Sequence, residues 1–177
     1  GIEKRRICSV NTTSYDLSIK AAKELIADLE LKNEEIGGVI YVTFTPDNLM
    51  PNNATHAQAD LQLNNDIVAF DINLACSGYV YGLWVSSMIA KSLNKKILLL
   101  DGDKQSYLTS PKDKSTSLLF GDAGSATLIS SEQDSNSQFI FSFYTEGERR
   151  ESLIIKDGAA RNVFNNKSLD YKTDSEG

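Results

Sequence analysis

Cys76 is the residue whose type and setting are best suited to covalent chemistry. It lies in the segment FDINLACSGY, residues 70–79, where an apolar strand-like run meets a tight turn and then an apolar helix. A cysteine at a helix N-terminus faces unpaired backbone amides and the positive end of the helix dipole, which favour the thiolate that attacks a carbonyl carbon. The same amides can stabilise a developing oxyanion. The pattern is compatible with a catalytic nucleophile and equally with a buried, inert cysteine, and position alone leaves both open.

The remaining reactive side chains form no metal or disulfide pattern. Cys8 is distant in sequence from Cys76, there is no CxxC pair, and His56 is the only imidazole. Neither a zinc site nor a disulfide framework is indicated, and a reducing compartment fits. We interpret Cys8 as a buried or incidental thiol, and His56, within a predicted helix, as an ordinary surface or interface histidine. Leu74 stands where the nucleophile elbow of an α/β-hydrolase needs glycine, which disfavours that class.

Charge and composition restrict the class of protein. The chain has 177 residues, 41% of them hydrophobic, and a formal net charge of -6, which is typical of one globular domain. The acidic balance disfavours nucleic-acid binding, because no cluster of Lys and Arg is available to neutralise phosphates. Residues 72–90 carry no charge, but polar and small residues interrupt this stretch, so we expect no membrane span. With no secretory signal at the start, we expect a cytoplasmic protein.

The elements that must position Cys76 alternate between helix and strand. Hydrophobic periodicity predicts helices over residues 15–31, 52–63 and from 76 onward, strands over 39–44, 67–72, 97–100 and 125–129, and further β signals at 138–144 and 152–155. This order predicts an α/β fold with a mostly parallel, mixed, five-stranded sheet and helices on both faces. Ligands bind at the carboxyl ends of strands in such sheets, where residues 45–50 and 73–76 fall.

The helix after Cys76 has an unusual composition. It is apolar almost all round, which predicts burial between layers rather than on a surface. Gly78, Gly82, Ser86 and Ala90 recur at a spacing of four. Such a stripe of small residues predicts close packing of this helix against a neighbouring helix or sheet.

The segment from Asp71 to Tyr79 resembles the active-site segment of beta-ketoacyl-acyl carrier protein synthase III, a thiolase-fold condensing enzyme whose pattern runs D-x-N-A-A-C-S-G-F. Three more segments occur in the family's order: GIEKRR at residues 1–6, TPD at 45–47 with a proline at 51, and LFGD at 119–122. The resemblance implies the N-terminal half of a thiolase-like fold. It identifies Cys76 as the residue that takes an acyl group from acyl-CoA.

In that family the acyl-enzyme is attacked by the carbanion from malonyl-acyl carrier protein, a decarboxylative Claisen condensation. The resemblance implies a homodimer that uses acyl-CoA and acyl carrier protein as substrates and needs no cofactor. The family's catalytic histidine and asparagine lie in segments such as H-Q-A-N and G-N-T-S, which are not found in this sequence. We therefore expect residues 1–177 to form a thiolase-like N-terminal domain, trimmed at both ends and inactive alone in condensation.

Four further residues match family positions that contact substrate. Lys114 falls where the family commonly has an arginine that contacts the nucleotide end of CoA, and a solvated loop lysine is the alternative. Phe44, Met50 and Phe120 match positions that line the acyl pocket, with Met50 reaching across the dimer. Each of these three could equally be an ordinary core residue.

Residues 121–126, GDAGSA, correspond to the family's G-D-G-A-G-A but depart from it at two glycines. They are interpreted as a structural turn, because they lack the lysine of a P-loop. Two alternative functions stay open. One is a condensing enzyme of specialised lipid, glycan or secondary metabolism. The other is a non-catalytic, dimerising half-domain.

Overall fold

The structure, a computed structural model, describes residues 1–132, 139–165 and 168. The chain divides into two compact units, Gly1–Ser137 and Gln138–Gly177. The first unit contains, in chain order, α1 (Ser14–Asp28), β1 (Ile36–Val42), α2 (Asn53–Asp60), β2 (Val68–Ile72), α3 (Gly78–Leu93), β3 (Lys96–Lys104) and β4 (Asp122–Ile129). The described part of the second unit includes a 3₁₀ turn at Gly147–Arg149.

The strands form one sheet in the order β2-β1-β3-β4. The central strand β1 is parallel to both β2 and β3, whereas β4 is antiparallel to β3. Val42, the last residue of β1, pairs with Ile72 on one side and with Asp101 on the other. The carboxyl ends of the three parallel strands therefore meet at one edge of the sheet.

Both faces of the sheet are covered by helices, as predicted. The strand β1 is buried at every position, because its alternate side chains enter two separate cores. One core packs α1 and α2 against β1 and β3, through residues that include Tyr15, Ile19, Ala54, Ala57, Val39, Tyr41, Leu98 and Leu100. The other core packs α3 against the opposite face, through residues that include Ala90, Ile40, Val42, Ile97, Leu99 and Ile129.

The helix α3 packs directly on the sheet through its stripe of small residues. The buried residues of this helix are the four members of the stripe, Gly78, Gly82, Ser86 and Ala90. A Cβ atom at Gly82 would lie 2.8 Å from both a Leu99 and a Val42 methyl carbon. The predicted close packing is confirmed. The opposite side of α3 is exposed in this chain, with Val80 at 52% and Met88 at 57% exposure. Burial of the helix between two layers therefore holds for one side only.

The sequence 121–126 forms a strand rather than the predicted turn, since β4 begins at Asp122. Its glycines allow close contact with neighbouring backbone. A Cβ atom at Gly124 would overlap the backbone of Ser18 in α1, and one at Gly121 would lie 2.8 Å from the carbonyl oxygen of Arg6. Small residues are needed here because a helix and the amino-terminal segment pack directly on β4.

The described residues contain four strands, so the predicted number of five is wrong for this part of the chain. Residues 139–144 and 152–155 form no strand, and residue 138 lies outside the described residues. Phe139, Phe141 and Phe143 stack on one side of their segment, with ring centroids 5.9 and 6.3 Å apart. This alternation produced the β signal, but a strand also needs hydrogen-bonding partners, which a periodic pattern cannot supply.

Across the described ranges, no helix is both long and apolar enough to cross a lipid bilayer.

Candidate active site

Cys76 lies in the turn that joins β2 to α3, at the edge where the parallel strands end. The amide of Gly78 donates a 2.7 Å hydrogen bond to the carbonyl oxygen of Ala75, which closes the turn around Cys76. The helix begins at Gly78, so the cysteine precedes the first helical residue by two positions. Cys76 is exposed, and its thiol has no hydrogen-bond partner among the described residues. The sulfur is therefore open to an incoming carbonyl carbon.

Gly78 explains why the turn lies directly on the sheet. A Cβ atom at this position would lie 2.5 Å from Cγ1 of Val42 and 3.3 Å from Cβ of Leu74. A Cβ atom this close would force the turn or Val42 to shift, so glycine is what allows the start of α3 to rest on the end of β1 in this position. The position of Cys76 is therefore set by the central strand.

Asp71, in β2, connects the cysteine segment to α2. Its carboxylate accepts hydrogen bonds of 2.8 Å from the amides of Asn53 and Ala54, the first residues of that helix. Burial raises the pKa of Asp71, and these two hydrogen bonds oppose the increase. The carboxylate satisfies helix amides that would otherwise have no partner.

Asp103, in β3, holds the chain that follows β1. Its Oδ1 accepts hydrogen bonds from the hydroxyl of Thr43 at 2.8 Å, the amide of Phe44 at 2.9 Å, and the amide and hydroxyl of Thr45 at 3.2 and 3.0 Å. The Thr45 hydroxyl also accepts a 2.9 Å hydrogen bond from the amide of Lys104. Residues 43–45 are therefore fastened to the end of the neighbouring strand.

Asp101 adds a titratable carboxyl on the α3 side of the same edge. It pairs with Val42 in β1 and with Ser125 in β4, so its side chain shares their face of the sheet. Burial, together with the nearby charge of Asp103, raises the pKa of Asp101 to about 6. The Asp101 carboxyl therefore ionises at a higher pH than an ordinary aspartate does.

The other residues predicted to contact substrate lie on two connections. Phe44 is half-buried directly after β1, and Met50, whose peptide bond to Pro51 is cis, is exposed. Lys114 is exposed and Phe120 is half-buried on the connection from β3 to β4, residues 105–121. That connection starts at the same edge, because Lys104 pairs with the first residue of β4. The fold thus places Cys76, Phe44 and Met50 after the ends of neighbouring strands, with Lys114 and Phe120 further along the chain.

His56 lies in α2, on the opposite face of the sheet from α3. It is half-buried, its ring meets that of Tyr15 edge-on with centroids 6.2 Å apart, and its Nε2 is buried without a hydrogen-bond partner in the described structure. This histidine is therefore not placed to assist Cys76.

Cys8 belongs to a hydrogen-bonded cluster that the sequence did not reveal. Its thiol donates to the carbonyl oxygen of Thr12 at 3.1 Å and to the carboxylate of Asp122 at 3.2 Å. Asp122 also accepts from the Cys8 amide at 3.0 Å and from the amide and hydroxyl of Ser106 at 2.8 and 2.7 Å. No signal in the sequence indicated this cluster, because Asp122 fell in a predicted turn, where aspartate is common.

The pKa values of Cys8 and Asp122 are shifted in opposite directions. Burial raises the pKa of Cys8, and its hydrogen bond to Asp122 adds to the increase. Burial also disfavours the Asp122 carboxylate, but the hydrogen bonds from Ser106 and Cys8 outweigh it, and the pKa of Asp122 is lowered. Cys8 is therefore held as a thiol that anchors the amino-terminal segment.

A mixed sheet covered on both faces, with an exposed cysteine in the turn between β2 and a helix that rests on β1, defines a thiolase-like α/β fold. The chain superposes on a crystal structure of a 3-oxoacyl-(acyl-carrier-protein) synthase III with a TM-score of 0.92 and 35% identity, covering 100% of this chain and 53% of that one. With the Pseudomonas aeruginosa PAO1 enzyme of that name the TM-score is 0.76 at 30% identity, covering 91% of this chain and 50% of that one.

Sequence comparison leads to the same family. Residues 70–147 match the profile of 3-oxoacyl-[acyl-carrier-protein (ACP)] synthase III. The chain is 39% identical over 173 residues to a putative 3-oxoacyl-[acyl-carrier-protein] synthase 3 of Campylobacter jejuni, covering 96% of this chain and 48% of that protein. It is 37% identical over 166 residues to a beta-ketoacyl-[acyl-carrier-protein] synthase III of Streptococcus mutans, covering 93% and 50%. The chain belongs to the 3-oxoacyl-[acyl-carrier-protein] synthase III family and spans about half the length of the curated relatives it matches.

Proposed function

We propose that the protein is an acyltransferase in which Cys76 accepts an acyl group from acyl-CoA and passes it to malonyl-acyl carrier protein, giving 3-oxoacyl-acyl carrier protein. One observation carries this proposal. An exposed cysteine with an unpartnered thiol lies in the turn at the strand ends of a chain that belongs to the 3-oxoacyl-[acyl-carrier-protein] synthase III family.

The chemistry divides into two steps joined by a thioester. In the first, the Cys76 thiolate attacks the thioester carbonyl carbon of acyl-CoA, the carbon–sulfur bond to CoA breaks, and CoA leaves as its thiolate. In the second, malonyl-acyl carrier protein loses carbon dioxide, and the resulting carbanion attacks the acyl-Cys76 carbonyl carbon. The Cys76 thiolate is then the leaving group, and the enzyme is regenerated.

We assign only the first step to residues of this chain. The family's histidine and asparagine segments are not found in the sequence, and His56 lies on the far face of the sheet. Residues 1–177 are in this proposal a thiolase-like domain that supplies the nucleophile. Alone they do not carry out condensation in this proposal.

Four residues are proposed to bind substrate. Lys114, an exposed cation on the 105–121 connection, would contact the phosphates of CoA. Phe44 and Phe120, both half-buried, would line the acyl pocket. Met50 is 87% exposed, which suits a side chain that completes the pocket of a second subunit in a homodimer. Acyl carrier protein is the proposed protein partner, and the cytoplasm the proposed location.

Mass spectrometry of the intact protein tests the nucleophile. The gene's full translation product, mixed with acetyl-CoA, should gain the mass of one acetyl group. Cys76→Ala should abolish the adduct. Cys8→Ala is the matched control, because it removes the other cysteine, and it should retain the adduct. Absence of the adduct in the unmodified protein, or its persistence in Cys76→Ala, contradicts the proposal.

A further inference from the structure

We propose that Asp103 is a positioning residue for acyl-chain selection, acting through the segment of residues 43–45 that carries Phe44. This inference rests on the proposed function, because it requires Phe44 to line the acyl pocket. It goes further by naming a residue outside the proposed acyl pocket that would determine the position of Phe44 in the pocket wall.

A single carboxylate oxygen of Asp103 accepts hydrogen bonds from all three residues of the segment 43–45. Oδ1 of Asp103 accepts two backbone amides, those of Phe44 and Thr45, and two hydroxyls, those of Thr43 and Thr45, at distances between 2.8 and 3.2 Å. Hydrogen bonds to an ionised acceptor are about twice as strong as neutral ones. The bonds to the amides fix the backbone of Phe44 itself rather than only a neighbouring side chain.

The far end of the same connection is fixed by a second carboxylate. Asp71 binds the amides of Asn53 and Ala54 at the start of α2. Between the two attachments Asp47 is bonded to Asn53 and Thr13, whereas Leu49 and Met50 are exposed, at 100% and 87%. Loss of the Asp103 carboxylate would leave the Phe44 amide without its acceptor, although Thr43 stays bonded to Ile72 and Thr45 to Lys104, and the α2 end would stay attached.

The nucleophile does not depend on this attachment. The turn that contains Cys76 rests on Val42 through Gly78, and Val42 is held by sheet hydrogen bonds to β2 and β3. Thr43 stays bonded to Ile72 in β2, so movement of residues 44 and 45 would shift the Phe44 ring but leave the cysteine in place. Loss of Asp103 should consequently change which acyl chains are accepted more than it changes the reactivity of the thiol.

The test compares acyl adducts from a mixture of substrates. The gene's full translation product is mixed with equal amounts of straight-chain acyl-CoA thioesters from acetyl to decanoyl, and the ratio of adducts is read by intact mass. The variants are Asp103→Ala, Asp103→Asn and, as a matched control, Asp122→Ala. Asp122 accepts as many hydrogen bonds in the same sheet but anchors Cys8 and Ser106 instead. The rate of Cys76 alkylation by iodoacetamide is measured in parallel.

We expect Asp103→Ala to change the ratio of long to short adducts by about tenfold, the scale on which pocket shape discriminates methylene groups. Asp103→Asn keeps an acceptor oxygen at the Oδ1 position and should retain the original ratio. Asp122→Ala should also retain it. The alkylation rate of Cys76 should be unchanged in all three.

Several results would overturn the assignment: an unchanged ratio in Asp103→Ala, an equal change in Asp122→Ala, a failure of Asp103→Asn to preserve the ratio, or a large fall in the alkylation rate of Asp103→Ala. If Asp103→Ala does not fold, Thr45→Val removes one hydroxyl donor and keeps the carboxylate. This variant also removes the acceptor of the Lys104 amide, while the amide bonds of Phe44 and Thr45 to Asp103 remain. It should therefore shift the ratio of long to short adducts by less than Asp103→Ala would, and an unchanged ratio refutes the role. Absence of any adduct in the unmodified protein contradicts the proposed function instead.

Discussion

The two cysteines of this chain differ in their surroundings, because the Cys8 thiol is hydrogen-bonded and the Cys76 thiol is exposed. At Cys8, the thiol and its surroundings are hydrogen-bonded: the thiol donates to Thr12 and Asp122, and the side-chain amine of Lys104 donates to the carbonyl oxygens of residues 9, 10 and 12. At Cys76, the thiol is exposed and has no hydrogen-bond partner among the described residues. The contrast teaches that the surroundings of a cysteine, rather than its residue type, separate an anchor from a candidate nucleophile.

Each region also contains an aspartate, and the pKa values of these two aspartates shift in opposite directions. Asp122, near Cys8, accepts hydrogen bonds from Cys8 and Ser106, and its pKa is lowered. Asp101, near the strand ends that carry Cys76, is half-buried beside the charge of Asp103, and its pKa is raised to about 6. One carboxylate stabilises the fold, whereas the other costs stability when it ionises.

The largest effect is expected from Gly78→Ala. The added methyl group would lie 2.5 Å from a methyl carbon of Val42, so the turn must move away from β1. A displacement of about 1 Å at a reacting group costs about 100-fold in rate. We expect a decrease of this size in the rate of acetyl transfer to Cys76, measured by intact mass over time.

Gly147→Ala serves as the control for this change, because a Cβ atom at Gly147 meets no atom within 4 Å. It should leave the rate unaltered. A Gly78→Ala protein that acetylates Cys76 at the original rate would show that the turn is not held by contact with β1.

A smaller effect is expected in the direct comparison of the two thiols. Cys76 should be alkylated by iodoacetamide about tenfold faster than Cys8 at neutral pH, because Cys8 is partly buried and its pKa is raised. Peptide mapping after short exposures measures both rates in one sample. Asp122→Ala should narrow the gap by releasing Cys8, and equal rates in the unmodified protein would remove the contrast.

The smallest effect concerns the two aspartates and pH. The folded pKa of Asp101 is above that of an unfolded chain, so its ionisation lowers the free energy of unfolding as pH rises from about 4 to about 6. Asp101→Asn should therefore be more stable than the unmodified protein at pH 7. We expect about 1 kcal/mol after allowance for partial exposure. Urea denaturation at several pH values measures the difference, which should vanish near pH 4.

Asp122→Asn is the opposite case and provides the control. The folded pKa of Asp122 is lowered, so the carboxylate contributes stability above the unfolded pKa and loses it as pH falls through the folded value. This variant should be less stable than the unmodified protein at pH 7, with the deficit shrinking in acid. The same sign for both variants would contradict the contrast between the two carboxylates.

The order of elements and the place of Cys76 could be predicted because both depend on local patterns. The sequence contains apolar runs, a tight turn and a stripe of small residues. These patterns indicated the parallel strands, the turn at Cys76 and the packing of α3. The role of Gly78 in seating the turn follows from the same stripe. Its partner, Val42, could be identified only once β1 and α3 were placed together.

The contacts of Asp103 and Asp122 could not be predicted, because their partners are distant in sequence. Thr43 lies 60 residues from Asp103, and Cys8 lies 114 residues from Asp122. The length of β3 was also underestimated. Its last residues are polar and read as a loop, yet Lys104 still pairs with Asp122 in β4. A neighbouring strand can extend a segment beyond what its own composition favours.

The contact of the Cys76 turn with β1, through Gly78 and Val42, has a consequence for folding while the chain is being synthesised. Val42 is flanked by Ile72 and Asp101, so its surroundings are complete only when the chain has been made as far as β3. Parallel pairing between distant segments forms late, since loop-closure entropy must be overcome before such contacts stabilise anything. On the ribosome, Cys76 will emerge well before the strands that hold its turn have assembled, and during that interval it is an unpositioned thiol.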